Sequence, residues 1–232
     1  MQKRGQRFAC APDRVYRGAM PNVSAKICGL STPDTIDSAI AGGASHIGFV
    51  FFPPSPRNVG FEQAAALANR VPAAVRRVGV FVDPDDALID SAIAAASLDI
   101  LQLHKTAPDR IAAIRARLAR EVWGALAVKT SADLAQAGTL AGAADRILYD
   151  AKTPDTAALP GGMGLRFDWN LLRGFRHPAP WALSGGLDAA NVAEAIARTG
   201  ATLVDVSSGV ETAPGVKDPA RIAAFLRAAR AR

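Results

Sequence analysis

Cys28 stands in the stretch AKICGLSTPD, between an apolar run and a Gly-Leu-Ser-Thr-Pro turn. A thiol there is by default an inert core group. It could also bind a metal or, at the rim of a site beside turn N–H groups, titrate low enough to take up a proton. Asp150 ends the run DRILYD. A carboxylate at the end of a buried strand is costly unless paired or functional, although a turn or capping aspartate would read the same way. Arg57 lies in FPPSPRNV, where Pro53, Pro54 and Pro56 restrict the backbone. A guanidinium held so suits a planar carboxylate or a phosphate, a solvated surface arginine being the plain alternative. Glycine-bearing turns follow at Ser184-Gly185-Gly186 and Ser207-Ser208-Gly209. Each could be turn chemistry alone; two in succession favour backbone N–H groups gathered around an anion, and so a phosphorylated small molecule.

Other polar residues share faces with these at a spacing of two, the period of a strand. Gln102 pairs with His104, which is as readily a hydrogen-bonded rim histidine as a participant. Lys26 precedes Cys28 by two, and Asp205 precedes Ser207 by two. If those strands meet, Lys26 and Asp205 form a buried ion pair, with Lys26 close enough to lower the thiol's pKa. Asp83 and Lys129 fall at further strand ends.

What could position these residues is a pattern repeated eight times from Ser24 onward. A short apolar, β-branched run is followed by a turn and an alanine-rich segment of helical period. The runs fall at 24–28, 46–51, 76–82, 99–104, 121–128, 145–150, 181–184 and 203–207. Helices are expected near 33–42, 61–70, 85–97, 108–119, 131–140, 168–174, 188–199 and 218–230. STPD, DPDD, APDR, TSAD and KDPAR supply N-terminal signals, and AGGA and TGA supply stops. Strands without polar alternation, joined through helices, form a parallel sheet covered by helices. Eight units in this length predict a single-domain α/β fold, the (β/α)8 TIM barrel. An open doubly wound sheet is the alternative, but no G-x-G-x-x-G follows the first strand. In a barrel Cys28, Arg57, Asp83, Gln102, His104, Lys129, Asp150 and both glycine turns fall at the C-terminal ends of strands or in the loops after them, and Cys28 and Asp150 face each other across the mouth as an acid–base pair.

Composition narrows the reading. Half the residues are apolar and a fifth charged, the balance of an ordinary globular chain. Two cysteines and three scattered histidines argue against a metal site and a disulfide framework. No apolar run reaches the length of a membrane span, and the N-terminus lacks the apolar core of a secretory signal, so the expected setting is cytoplasmic. Of the net charge of +6, residues 1–19 carry +4, so the body is not a basic surface and no nucleic-acid partner is expected. We expect residues 1–21 to be an extension, disordered or the product of an upstream start site, and residues 22–232 to be the barrel. The expected partner is a small phosphorylated molecule, with no membrane association, and the chain a monomer or weak homodimer.

KICGL, FVFFPPSPRNV, VGVFVD, LQLH, LYDA, GGMGLRFDW, ALSGGLDAANV and VDVSSGVE…PGVKD together make a sequence that resembles the phosphoribosylanthranilate isomerase family of tryptophan biosynthesis. The resemblance spans about residues 24–227, at all eight units. It implies a (β/α)8 barrel, no cofactor, and an Amadori rearrangement of N-(5-phosphoribosyl)anthranilate to the 1-(2-carboxyphenylamino)-1-deoxyribulose 5-phosphate. It further implies that Asp150 is the general acid opening the ribose ring and Cys28 the general base at C2. Arg57 would pair with the anthranilate carboxylate. Backbone around Gly185, Gly186, Ser207, Ser208 and Gly209 would hold the phosphate, helped by residues 161–164, and His104 would contact substrate. Met163, where the family usually has threonine, Lys105, where it has glycine, and the basic head depart from the pattern. A related histidine-pathway isomerase uses the same chemistry, but with aspartate in place of this cysteine. A barrel that merely binds a phosphorylated ligand is the non-catalytic alternative.

Overall fold

Eight parallel strands close on themselves in chain order: β1 (Ser24–Cys28), β2 (His46–Val50), β3 (Arg76–Val82), β4 (Ile100–His104), β5 (Glu121–Val128), β6 (Arg146–Ala151), β7 (Trp181–Leu183) and β8 (Leu203–Val206). The computed structural model describes residues 23–154 and 164–231. The basic head, Met163 and the first two glycines of the GGMG loop lie outside the described residues. Each strand falls within about a residue of its expected span, because a strand buried on both faces reads as one apolar run. Closure by β1 against β8 excludes the open-sheet alternative.

The crossovers are α1 (Pro33–Ala41), α2 (Phe61–Ala68), α3 (Asp86–Ala96), α4 (Pro108–Leu118), α5 (Ser131–Leu134), α6 (Ala137–Ala143), α7 (Val192–Thr199) and α8 (Pro219–Arg230). Their starts follow the sequence signals. The Asp85 carboxylate accepts from Leu88 N at 2.8 Å, Asp218 accepts from Arg221 N at 2.9 Å, and Thr130 and Asp133 make a reciprocal capping box. Three expectations need correction. The fifth helix is broken in two at residues 135–136. The sixth is a single 3-10 turn, Trp169–Leu172, stopped by Gly174 at φ +73° and too short to propagate as an α-helix. The seventh starts at Val192 rather than 188, because Asp188 folds back to accept from the amides of Ala190 and Asn191.

Side chains alternate strictly across the barrel wall. Leu, Ile, Phe and Ala from the outward positions pack under the helices. Val78, Ile100, Trp123, Leu148, Ala182 and Leu203 fill the interior. The same parity turns Lys26, Cys28, Gln102, His104, Asp150 and Asp205 inward, so the strand ends gather the polar residues over an apolar plug.

Candidate active site

β1 and β8 pair with Lys26 directly opposite Asp205. Lys26 Nζ lies 2.9 Å from Asp205 Oδ1 and is wholly buried, as the strand parity had led us to expect. Gly48 on β2 makes room for this layer. A Cβ there would sit 3.1 Å from both Cys28 Sγ and Lys26 Nζ. The second carboxylate oxygen of Asp205 accepts from Ser184 Oγ at 3.3 Å, which carries the network toward β7 and Asp150. Burial pulls Lys26 down, but Asp205 and Cys28 beside it outweigh burial and its pKa stands above normal.

A cavity opens above this ion pair, lined by Cys28, Arg57, Gln102, His104, Asp150 and Asp205 among others. Cys28 enters from β1 and Asp150 from β6, two strands far apart around the closed barrel. Burial, and then the Asp205 charge, push Asp150 up to about 7; its Oδ1 accepts from Ala151 N at 2.9 Å. The carboxyl is therefore largely protonated just below neutral pH, the state a proton donor needs.

The thiol differs from the sequence expectation. Burial pushes Cys28 up, and although Lys26 and Lys217 pull it back the net shift is upward. The turn amides that were to lower it point elsewhere, since Gly29 N and Leu30 N both donate to Gly48 O, at 2.8 and 3.1 Å.

Arg57 is buried in the cavity wall, but its orientation depends on more than prolines. Its Nε and Nη2 donate to Oε1 and Oε2 of Glu211, each at 2.7 Å. Lys217 Nζ donates to the same Oε1 at 2.6 Å. The sequence reading assigned no role to Glu211 or Lys217. The available signal was a charged residue preceded by Gly-Val in both SGVE and GVKD.

His104 and Gln102 share the inward face of β4. The two Nε2 atoms are 2.9 Å apart, so the amide donates to the ring. Burial, then Lys26 and Lys105, hold His104 near 4, so it is neutral. Gln102 Oε1 is buried without a partner among the described residues. His104, Asp150 and Lys105 also line a further cavity between β4 and β6. Asp83 and Lys129 line neither this nor the main cavity.

A second cavity adjoins the first and shares Asp150, Ser184, Asp205 and Ser207 with it. Gly164, Gly185, Gly186 and Ser208 are among the other residues of its wall. Gly186 needs its φ of +62°, and a Cβ there would press on Leu165 O at 2.6 Å. Gly209 does not line the cavity; it packs on Leu187 O so closely that a Cβ would collide with that oxygen. A 3-10 turn, Ser208–Val210, begins here. Its opening amides have no acceptor within the turn, as at any helix start, which is the arrangement that favours an anion.

A cavity at the C-terminal mouth of a closed (β/α)8 barrel, walled by titratable groups from several strands, is the layout of a barrel enzyme. The family model described as N-(5'phosphoribosyl)anthranilate (PRA) isomerase matches residues 25–228. The chain is 55% identical to the N-(5'-phosphoribosyl)anthranilate isomerase of Zymomonas mobilis subsp. mobilis over 90% of its own length and 99% of that protein's. It is 53% identical to that of Rhodospirillum centenum, over 90% and 99%. A crystal structure of phosphoribosyl anthranilate isomerase in complex with reduced 1-(o-carboxyphenylamino)-1-deoxyribulose 5-phosphate superposes with a TM-score of 0.78 at 32% identity, covering 89% of this chain and 98% of that one. The Thermotoga maritima enzyme gives 0.80 at 35%, with the same coverage. The chain belongs to the N-(5'-phosphoribosyl)anthranilate isomerase family, and so is an isomerase of tryptophan biosynthesis.

Proposed function

We propose that Asp150 and Cys28 are the acid and the base of the Amadori rearrangement of N-(5'-phosphoribosyl)anthranilate. The Asp150 proton goes to the ring oxygen of the ribose, the C1–O bond breaks, and the anilino nitrogen's lone pair forms the Schiff base. The Cys28 thiolate then takes the proton from C2, giving an enolamine. Protonation at C1 and loss of the enol proton yield 1-(o-carboxyphenylamino)-1-deoxyribulose 5-phosphate. Only protons move, so the sequence is redox-neutral and calls on no cofactor. The observation that carries this reading is one cavity with a buried carboxyl on β6 and a buried thiol on β1, on distant walls.

The acid titrates near 7 and the base above its usual value, so the productive form, neutral Asp150 with ionised Cys28, is a minority species. Because the carboxyl's pKa lies below the thiol's, that form pairs a stronger acid with a stronger base than the opposite order would, which compensates in the rate of each transfer. Lys26 stabilises the thiolate whenever it forms. Arg57 takes the anthranilate carboxylate. The glycine-lined cavity, through Gly185, Gly186, Ser207 and Ser208, takes the phosphate, and His104 bounds the space between. We take the enzyme to act as a monomer or weak homodimer. No helix among the described residues is long and apolar enough to cross a membrane, and we place the enzyme in the cytoplasm.

The test is the loss of phosphoribosylanthranilate fluorescence on mixing with purified protein, beside Cys28→Ala and Asp150→Asn. Turnover by the wild type, with each variant slowed about 10²-fold or more, is expected. Wild-type binding without turnover would leave a binding barrel instead.

A further inference from the structure

We infer that Glu211 is the positioning residue for Arg57, and that the short ribbon after β8 is a clamp fixing the plane in which the substrate's carboxylate is received. The inference rests on the assignment of Arg57 above. After its 3-10 turn the chain makes two short antiparallel strands before α8: β9 (Glu211–Ala213) and β10 (Val216–Lys217). Gly215, at φ +82°, turns this ribbon and packs against Pro56, one residue from Arg57; a Cβ there would come within 3.0 Å of the Pro56 carbonyl carbon. The ribbon therefore lies directly on the proline loop after β2.

Its two strands bring Glu211 and Lys217 opposite each other. Glu211 closes a two-point fork on Arg57, and both side chains are almost fully buried. Lys217 holds Glu211 in turn. Its ammonium donates to Glu211 Oε1, and also to Ser207 O at 2.9 Å and Ser207 Oγ at 3.1 Å, so all three protons have acceptors. Arg221 on α8 donates to the Glu211 carbonyl oxygen. Glu211 is thus fixed from three sides, and fixes Arg57.

Stability alone is a poor account of this cluster, because an apolar trio of the same volume would avoid desolvating three charges. Its geometry points to orientation. A flexible guanidinium locked by a fork before the ligand arrives loses little further freedom on binding. Lys217 joins the arrangement to Ser207, at the border of the phosphate cavity, so one buried network sets the distance between the two anion sites.

The experiment compares Glu211→Gln, Glu211→Asp, Arg57→Ala and the Arg57→Ala/Glu211→Gln double variant by steady-state turnover, with inorganic phosphate as inhibitor and melting temperature alongside. Glu211→Gln is expected to raise KM about tenfold with kcat changed less than about threefold, leaving inhibition by phosphate unaltered. In the Arg57→Ala background the same change is expected to add nothing. Glu211→Asp keeps the charge the fold needs but shortens the reach, and is expected to raise KM comparably. Equal KM factors with and without Arg57, or a KM that Glu211→Gln and Glu211→Asp leave within about twofold of wild type, would overturn the inference. If Arg57→Ala alone leaves KM unchanged, the carboxylate assignment falls and this inference with it. If Arg57→Ala raises KM while Glu211→Gln does not, only the positioning role is refuted.

Discussion

Replacing Asp150 by asparagine should make the protein more stable, and by an amount that depends on pH in a calculable way. In the fold this carboxyl ionises near 7, against an ordinary 3.8, because it is buried and faces Asp205. The native state therefore holds a proton that the unfolded chain has released, and wild-type stability falls as pH rises from 4 through 7, levelling off above. At about 1.36 kcal/mol per pH unit, the penalty is about 2 kcal/mol at pH 5.5 and about 4 kcal/mol at pH 8.5. Asparagine keeps an oxygen for Ala151 N and the same volume, but cannot ionise. The advantage of Asp150→Asn over wild type should thus grow by about 2 kcal/mol between pH 5.5 and pH 8.5. Urea unfolding of both proteins at the two pH values measures that difference, and any constant packing effect cancels. A gap that stays the same would mean that Asp150 ionises normally, and would remove the basis for treating it as the acid.

The thiol gives a different signature: Cys28→Ala should lower kcat by about 10²-fold or more while KM stays within about threefold, as steady-state fluorescence kinetics will report. Gly186→Ala should cost about 1–2 kcal/mol of stability from the left-handed backbone alone and weaken competitive inhibition by inorganic phosphate, since the new methyl presses on Leu165 O. Lys26→Met should destabilise by about 3–5 kcal/mol, because Asp205 is left buried and uncompensated. Adding Asp205→Leu should recover a substantial part of that loss in urea unfolding.

Much of this was legible in the sequence because barrel strands are simple objects. A strand covered on both sides carries a continuous apolar run, and its parity assigns every side chain to one face. That logic placed Lys26 and Asp205 together at a separation of 179 residues. It also gathered Cys28, Arg57, His104 and Asp150 at one rim, where they line one cavity. The balance of forces on a given group was not legible. Lys26 does act on Cys28 with the expected sign, but burial is the larger effect, and sequence spacing carries no measure of burial. Nor could spacing show that Gly48 O would consume the turn amides. Glu211 and Lys217 were overlooked for a third reason. Their ribbon strands are three and two residues long, below the length at which alternation can be recognised, and only the folded register puts them opposite one another.

The central claim is a division of labour: Asp150 opens the ring and Cys28 takes the C2 proton. It can be tested by reducing the Schiff base that stands between the two steps. Each variant would be incubated with N-(5'-phosphoribosyl)anthranilate and cyanoborohydride, and the reduced open-chain adduct quantified by mass spectrometry against an enzyme-free control. The account predicts adduct well above background with Cys28→Ala, where ring opening proceeds and the next step fails, and background alone with Asp150→Asn. Equal trapping by the two variants, or trapping by Asp150→Asn alone, would contradict it.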